Sequence, residues 1–276
     1  MAEILLNHGA EINPQKSEQP PLYHSIIHRH IDMLEFLLSF GANANAFYDS
    51  EQPILCFAIA IHCQSIAEIL ISHGAELAGR NGELALETAV KFKNIEMVQF
   101  LIFHGVEIKG SGGGFALYEA IKNGYFDIAQ MLISNGADPK EDWGYEPNIN
   151  IATKYNHKEI VELLISYGVN LNSISHPGQT SLHYAIKHNY EEIAEILIKN
   201  GADLNIRDSY DQTALHFASI SNMQEIIKLL ISHGADVNLK DSKGKTAFDY
   251  LLGSEINKEC IEAFISHGAN LHAKDS

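Results

Sequence analysis

Cysteine, tryptophan and proline are scarce in this chain of 276 residues, with three, one and seven copies respectively. The three cysteines, Cys56, Cys63 and Cys260, cannot all pair within one molecule, and no Asn-x-Ser/Thr sequon occurs among the many asparagines. Both absences fit a reducing, intracellular and cytoplasmic setting, with the nucleus left open. Basic charge is also short: 19 basic side chains face 35 acidic ones, a formal charge of −16. The deficit is even, −9 over residues 1–138 and −7 over residues 139–276, so no basic half is available to neutralise phosphates. Nucleic acid and anionic membranes are therefore poor partners. No apolar run approaches the ~20 residues that span a bilayer. The N-terminal stretch from Met1 to His8 lacks both a basic n-region and a full apolar h-region. A soluble, unexported chain is expected.

What the chain does have is surface to bury. It is 46% hydrophobic with a mean hydropathy of −0.08, which excludes a disordered, solvating polyanion. Length alone allows one large domain or two ordinary ones. Internal periodicity replaces that question with another, the number of repeated units. A glycine preceded by an apolar stripe recurs at Gly9, Gly41, Gly74, Gly105, Gly136, Gly168, Gly201, Gly234 and Gly268. The intervals are 32, 33, 31, 31, 32, 33, 33 and 34 residues. The segments Ile66 to His73, Ile193 to Asn200 and Ile226 to His233 place apolar residues at helical spacing. Each predicts a helix with a wide buried stripe, stopped by a glycine in the left-handed region.

A second motif keeps step with the first. Thr180-Ser181-Leu182-His183-Tyr184-Ala185 and Thr213-Ala214-Leu215-His216-Phe217-Ala218 begin 21 residues before their glycines, and looser versions begin at Pro20, Pro53, Leu84, Phe115 and Pro147. Thr246 stands at an offset of 22. A threonine there can cap a first, shorter helix. Alanine in sixth place (Ala58, Ala89, Ala120, Ala152, Ala185, Ala218) leaves room for a neighbouring helix. Gly124, Asn156, Asn189 and Asn222 follow where a left-handed turn into the second helix is easiest for Gly or Asn.

Together with Gly201-Ala202-Asp203-Leu204-Asn205 and Gly234-Ala235-Asp236-Val237-Asn238, these motifs make the chain resemble the ankyrin-repeat family over essentially its whole length. The resemblance implies an all-α fold: an α-solenoid of stacked helix-turn-helix units, each with a β-hairpin or loop. The expected division is a partial repeat over 1–19 and repeats over 20–52, 53–83, 84–114, 115–146, 147–179, 180–212, 213–245 and 246–276. Units three and four, which begin at Leu84 and Phe115, depart from the pattern, and Gly110-Ser111-Gly112-Gly113-Gly114 predicts a short, mobile or bent finger between them.

The resemblance also implies a non-enzymatic scaffold that binds a partner protein on a concave face formed by hairpin tips and first helices. Aromatics at those positions are the candidate contacts: Phe47, Tyr48, Trp143, Tyr145 and Tyr210 on hairpins, and Phe92, Tyr155 and His188 near first-helix ends. Asp49, Glu141, Asp142, Asp208 and Asp211 surround them and favour a basic partner. The alternative is a targeting or regulatory segment of a larger protein whose catalytic domain lies elsewhere. It is motivated by a start inside a repeat and by an apolar last unit (Ile256, Ile261, Ala263, Phe264, Ile265), which also suggests self-association through uncapped ends. Asn172, Asn205 and Asn238 match a position that is hydroxylated in some relatives.

No catalytic set, cofactor or metal site is expected. Gly244-Lys245-Thr246 imitates the end of a phosphate loop, but Leu239 stands where the first glycine belongs. His24, His28 and His30 have metal-ligand spacing without a Cys or carboxylate to complete the set. The His-Gly pairs at His8, His73, His104, His233 and His267 predict imidazoles hydrogen-bonded to free helix carbonyls. Cys56 and Cys63, on or beside one helix, are expected to be structural thiols.

Overall fold

A computed structural model describes residues 8–14, 20–48, 52–143, 146–252 and 258–270. The described residues form sixteen helices in eight pairs. These are α1 (Pro21–Ile27) with α2 (Ile31–Ser39), α3 (Ile54–Ala60) with α4 (Gln64–Ser72), α5 (Gly79–Lys91) with α6 (Ile95–Phe103), and α7 (Ser111–Lys122) with α8 (Phe126–Ser134). They continue with α9 (Asn148–Lys154) and α10 (Lys158–Ser166), α11 (Ser181–Lys187) and α12 (Glu191–Lys199), α13 (Ala214–Ile220) and α14 (Gln224–Ser232), and α15 (Ala247–Leu251) and α16 (Lys258–Ser266). The chain divides into two compact units, Met1–Ala120 with Asp127–Asp138, and Ile121–Phe126 with Pro139–Ser276. In the first, α3 packs on α4 and α5, and α5 on α6. In the second, α9, α11, α13 and α15 pack in succession, and α10, α12, α14 and α16 form a parallel succession.

The apolar stripes supply the core of each unit. Ile66, Ala67 and Leu70 on α4 are buried, as are Ile226, Ile227, Leu230 and Ile231 on α14. The sixth-position alanines, from Ala58 to Ala218, are fully buried, as close helix approach requires. Second helices end at left-handed glycines such as Gly201, with φ +83°, and Gly234, with φ +95°. Where the residue before the glycine is His or Asn, its side chain caps the helix. Nδ1–H of His73, His104, His233 and His267 donates at 2.9 Å to the carbonyl four residues back, the role expected of these imidazoles. Asn135 and Asn200 do the same through Nδ2 at 2.8 Å. Orphan carbonyls at the helix end are thereby satisfied.

First helices start in three ways, and at Pro20, Pro53 and Pro147 no side chain caps them. In the second unit, Thr180, Thr213 and Thr246 form capping boxes with His183, His216 and Asp249. Nδ1 of His183 accepts from the Thr180 backbone N–H at 3.2 Å, so its other nitrogen carries the proton that is donated to Gln212 O, also at 3.2 Å. His216 repeats this with Thr213 at 3.1 Å and Lys245 O at 3.1 Å. Asn150 makes the equivalent link, its Nδ2 donating to Gln179 O at 3.3 Å. Each side chain ties its own helix start to the connection 29 residues onward.

The third and fourth pairs start differently and correct the expectation of a mobile finger. α5 begins at Gly79 and α7 at Ser111, ahead of the expected starts at Leu84 and Phe115, so Gly112, Gly113 and Gly114 lie inside a helix. Two Gly-x-x-Gly segments, from Gly79 to Gly82 and from Gly110 to Gly113, make this possible. The first glycine of each has positive φ, +59° and +84°. The second lies against backbone: a Cβ on Gly82 would sit 1.9 Å from Leu77 O, and one on Gly113 would sit 1.8 Å from Ile108 O. Glycine is present for close approach here, and the Ser111 hydroxyl anchors the new turn to Glu83 at 2.7 Å.

Of the expected hairpin-or-loop connections, the loop form is the one present among the described residues. Among the described residues no strand forms, only isolated antiparallel bridges at Phe47–Pro53, Ser175–Gln179 and Lys240–Thr246. Carboxylates take the backbone donors that a ladder would use. Asp208 Oδ1 accepts from the N–H of Tyr210 and Gln212 at 2.8 and 2.9 Å. Asp241 Oδ1 accepts from Lys243 and Lys245 at 2.9 and 3.0 Å. These are Asx turns, which fix a tip without a sheet.

Candidate functional site

The expected contact residues fall into separate places in the two units. In the first unit, Phe47 stands exposed at its bridge. Tyr48 is half-buried because its ring stacks on Tyr23, with centroids 6.0 Å apart, and tilts against Phe57 at 5.1 Å. Tyr23 and Phe57 also meet, at 4.8 Å. The sequence expectation missed this triad, since Tyr23 and Phe57 sit on first helices at neighbouring but different offsets. Phe92 is exposed and edge-on to His62 at 5.9 Å.

In the second unit, Tyr155 and His188 are both exposed. They occupy the same place, the residue that closes α9 and α11 respectively; Phe92 closes α5 in the same way. Each ring is backed by a neighbour two residues on: Tyr155 stacks on His157 at 6.2 Å, and His188 on Tyr190 at 5.6 Å. Beside Tyr155, Lys154 pairs with Glu146 at 3.0 Å and lies 5.9 Å from the centre of the Tyr184 ring. The hydrogen bond that Lys154 donates to Glu146 raises its pKa. Trp143 is half-buried, with its indole N–H donated to Glu141 at 3.1 Å. Tyr210 is 63% exposed at a tip whose backbone is fixed by Asp208. Tyr145, like Asp49, lies outside the described residues.

Of the acidic set, Glu141, Asp142 and Asp211 are exposed, whereas Asp208 is buried. Asp208 holds its own turn, so it is structural. Asp241 plays the same part. Burial pushes its pKa up, but hydrogen bonds from Tyr250, from the Lys245 and Lys243 backbone and from Gln212 outweigh this and hold it below the ordinary range. Tyr250 is pushed up to about 12 by burial and by donating to that carboxylate.

The N–H groups of Lys245 and Gly244 point to Asp241, at 3.0 Å to its side chain and 2.9 Å to its carbonyl. The carboxylate and the backbone carbonyl of Asp241 thus take up one donor each of the phosphate-loop look-alike. His28 and His30 have ring centres 5.9 Å apart, and no group of three or more His, Cys, Asp or Glu is placed to hold a metal among the described residues. Cys56, Cys63 and Cys260 form no disulfide, and burial pushes Cys56 up to about 11, far from the reactive thiolate form. Among the described residues, no helix is long and apolar enough to cross a membrane.

No curated protein sequence matches the chain. The family model for ankyrin repeats (3 copies) matches residues 65–143, 117–208 and 205–275. This fold is a non-catalytic scaffold that generally serves protein–protein interaction. Paired helices closed by left-handed glycines, threonine-capped first helices and these matches together place the chain in the ankyrin-repeat family.

Proposed function

We propose that the chain holds a partner protein on the concave face of its repeat stack, through hairpin tips and first-helix ends. The observation that carries this reading is the recurrence of exposed rings at one repeat position, with Phe92, Tyr155 and His188 each closing a first helix. Nothing in the packing of a repeat needs a large ring there, since the core is filled by other residues. Tyr210 and Phe47 add exposed aromatic area at the tips, and Trp143, Tyr145 and Tyr48 complete the set. Such rings give large contact area at low entropic cost. Exposed Glu141, Asp142 and Asp211 favour a basic partner, and three cysteines outside any disulfide support a reducing, cytoplasmic setting.

The test is affinity capture from native lysate with the wild type beside a Tyr155→Ala, His188→Ala, Tyr210→Ala variant. The reading expects a captured protein that the variant loses while its melting temperature stays unchanged. A partner list identical for the two proteins overturns the assignment of the face.

A further inference from the structure

Asparagine side chains connect one hairpin to the next wherever the fourth residue after the repeat glycine is asparagine. Asn13 accepts from Asn43 N–H at 2.8 Å and donates to Gly41 O at 3.0 Å. Asn45 does the same with Glu76 N–H at 2.7 Å and Gly74 O at 3.0 Å. Asn172 and Asn205 accept from Asp203 and Asp236 N–H, both at 2.8 Å. Asn238 accepts from Asn270 N–H at 3.0 Å. In every case a carboxamide oxygen serves the N–H two residues past the next glycine.

At residue 140 the chain carries lysine instead. An ammonium group has no acceptor, so Asn170 N–H, two residues past Gly168, lacks the oxygen that its counterparts have. A cavity of about 150 Å³ opens at this point, and Lys140, Asn148, Gly168, Asn170 and Ser173 contribute to its wall. Asn148 is only 3% exposed. Its Nδ2 donates to Pro139 O and Glu141 O, both at 3.1 Å, which fixes the orientation of the amide, while its Oδ1 has no hydrogen-bond partner. One cleft thus holds an unused backbone donor and a buried, unused carbonyl oxygen. Leaving such an oxygen unpaired is unfavourable.

We propose that this cavity is a receptor site for the side-chain carboxamide of an asparagine or glutamine on a partner segment, which enters in place of the missing ladder asparagine. Its carbonyl accepts from Asn170 N–H and its NH2 donates to Asn148 Oδ1. A carboxylate has no proton for Asn148, and Asp142 on the same wall offsets the pull of Lys140. The site uses none of the aromatic residues proposed above, so either reading can fail without the other.

The probe is N-acetylglutamine methylamide, with N-acetylglutamate methylamide as its matched control, titrated into the 15N-labelled full chain. The glutamine probe should shift the Asn170 backbone and Asn148 side-chain amide signals saturably, and the glutamate probe should bind at least about tenfold more weakly. Lys140→Asn, which supplies the rung internally, should abolish the response and raise the melting temperature by roughly 2–4 °C. Equal responses to the two probes, or none to either because water alone fills the cleft, would overturn the proposal. So would a Lys140→Asn protein that still binds the glutamine probe.

Discussion

The turn between paired helices is left-handed in both units, but different residues make it. In the second unit it falls on Gly124, Asn156, Asn189 and Asn222, which enter that region at small cost. In the first it falls on Arg29, His62 and Lys93, with φ between 51° and 54°. Helix starts divide the same way. Thr180, Thr213 and Thr246 cap theirs, whereas Pro20, Pro53 and Ala78 provide no side-chain cap. Pro147 in the second unit also starts its helix without a side-chain cap and Asn94 caps α6 in the first, so the contrast rests on the threonine boxes and on the turn residues, where the first unit relies on packing to impose conformations that its residues do not prefer. In a repeat stack, stability is a sum of unit and neighbour contributions, so this difference is measurable region by region.

The comparison breaks most visibly where the first unit depends on glycine. Gly113→Val places side-chain atoms against Ile108 O and should destabilise α7 by about 3 kcal/mol or more. Urea unfolding reads the loss; a change within error would mean that the close approach is not needed. His216→Ala attacks the second unit, removing the acceptor for Thr213 N–H and the donor to Lys245 O in a buried setting. About 2 kcal/mol is expected from the two orphaned groups, seen as faster amide exchange over α13 and α15.

Acidification should separate the units without any mutation. Burial lowers the pKa of His183 and His216 from the ordinary 6.5, so below that value the unfolded chain binds more protons than the folded one. Their stabilising contribution is present above 6.5 and is lost as the pH falls from there through the lower folded values. Protection factors over α11 and α13, taken relative to the intrinsic exchange rate at each pH, should fall between pH 7.5 and 5.5, and a His183→Gln, His216→Gln variant should flatten that dependence. The smallest effect sharpens the contrast from the other side. Lys93→Asn should stabilise the first unit by roughly 0.5–1 kcal/mol through the turn preference, and Asn189→Lys should cost the second a similar amount.

Most of the fold was legible because helical ankyrin units repeat the same physical demands at fixed spacing. Glycine stops, buried alanines, threonine caps and His-Gly pairs all match their sequence positions. The Gly110–Gly114 run was misread because flexibility is the usual meaning of consecutive glycines. Only the partner run at Gly79 and Gly82, 31 residues earlier, marks it as a second copy of one close-packed helix start. Hairpins failed to become strands because Asp208 and Asp241 capture the backbone donors, which composition alone does not reveal. For the site, exposure of Tyr155, His188 and Tyr210 followed from repeat position, while the engagement of Tyr48 with Tyr23 and Phe57 depended on contacts between helices. The cleft at Lys140 was hidden because it arises from a residue missing from a ladder.

The central claim is that binding uses the tips and first-helix ends. The direct measurement is an amide-exchange footprint of the full chain with and without its captured partner. Slowed exchange is expected around residues 141–143, 154–157, 187–190 and 208–212, with the second helices α10, α12 and α14 unchanged. Protection centred on those second helices, with the first-helix ends unaffected, would contradict it.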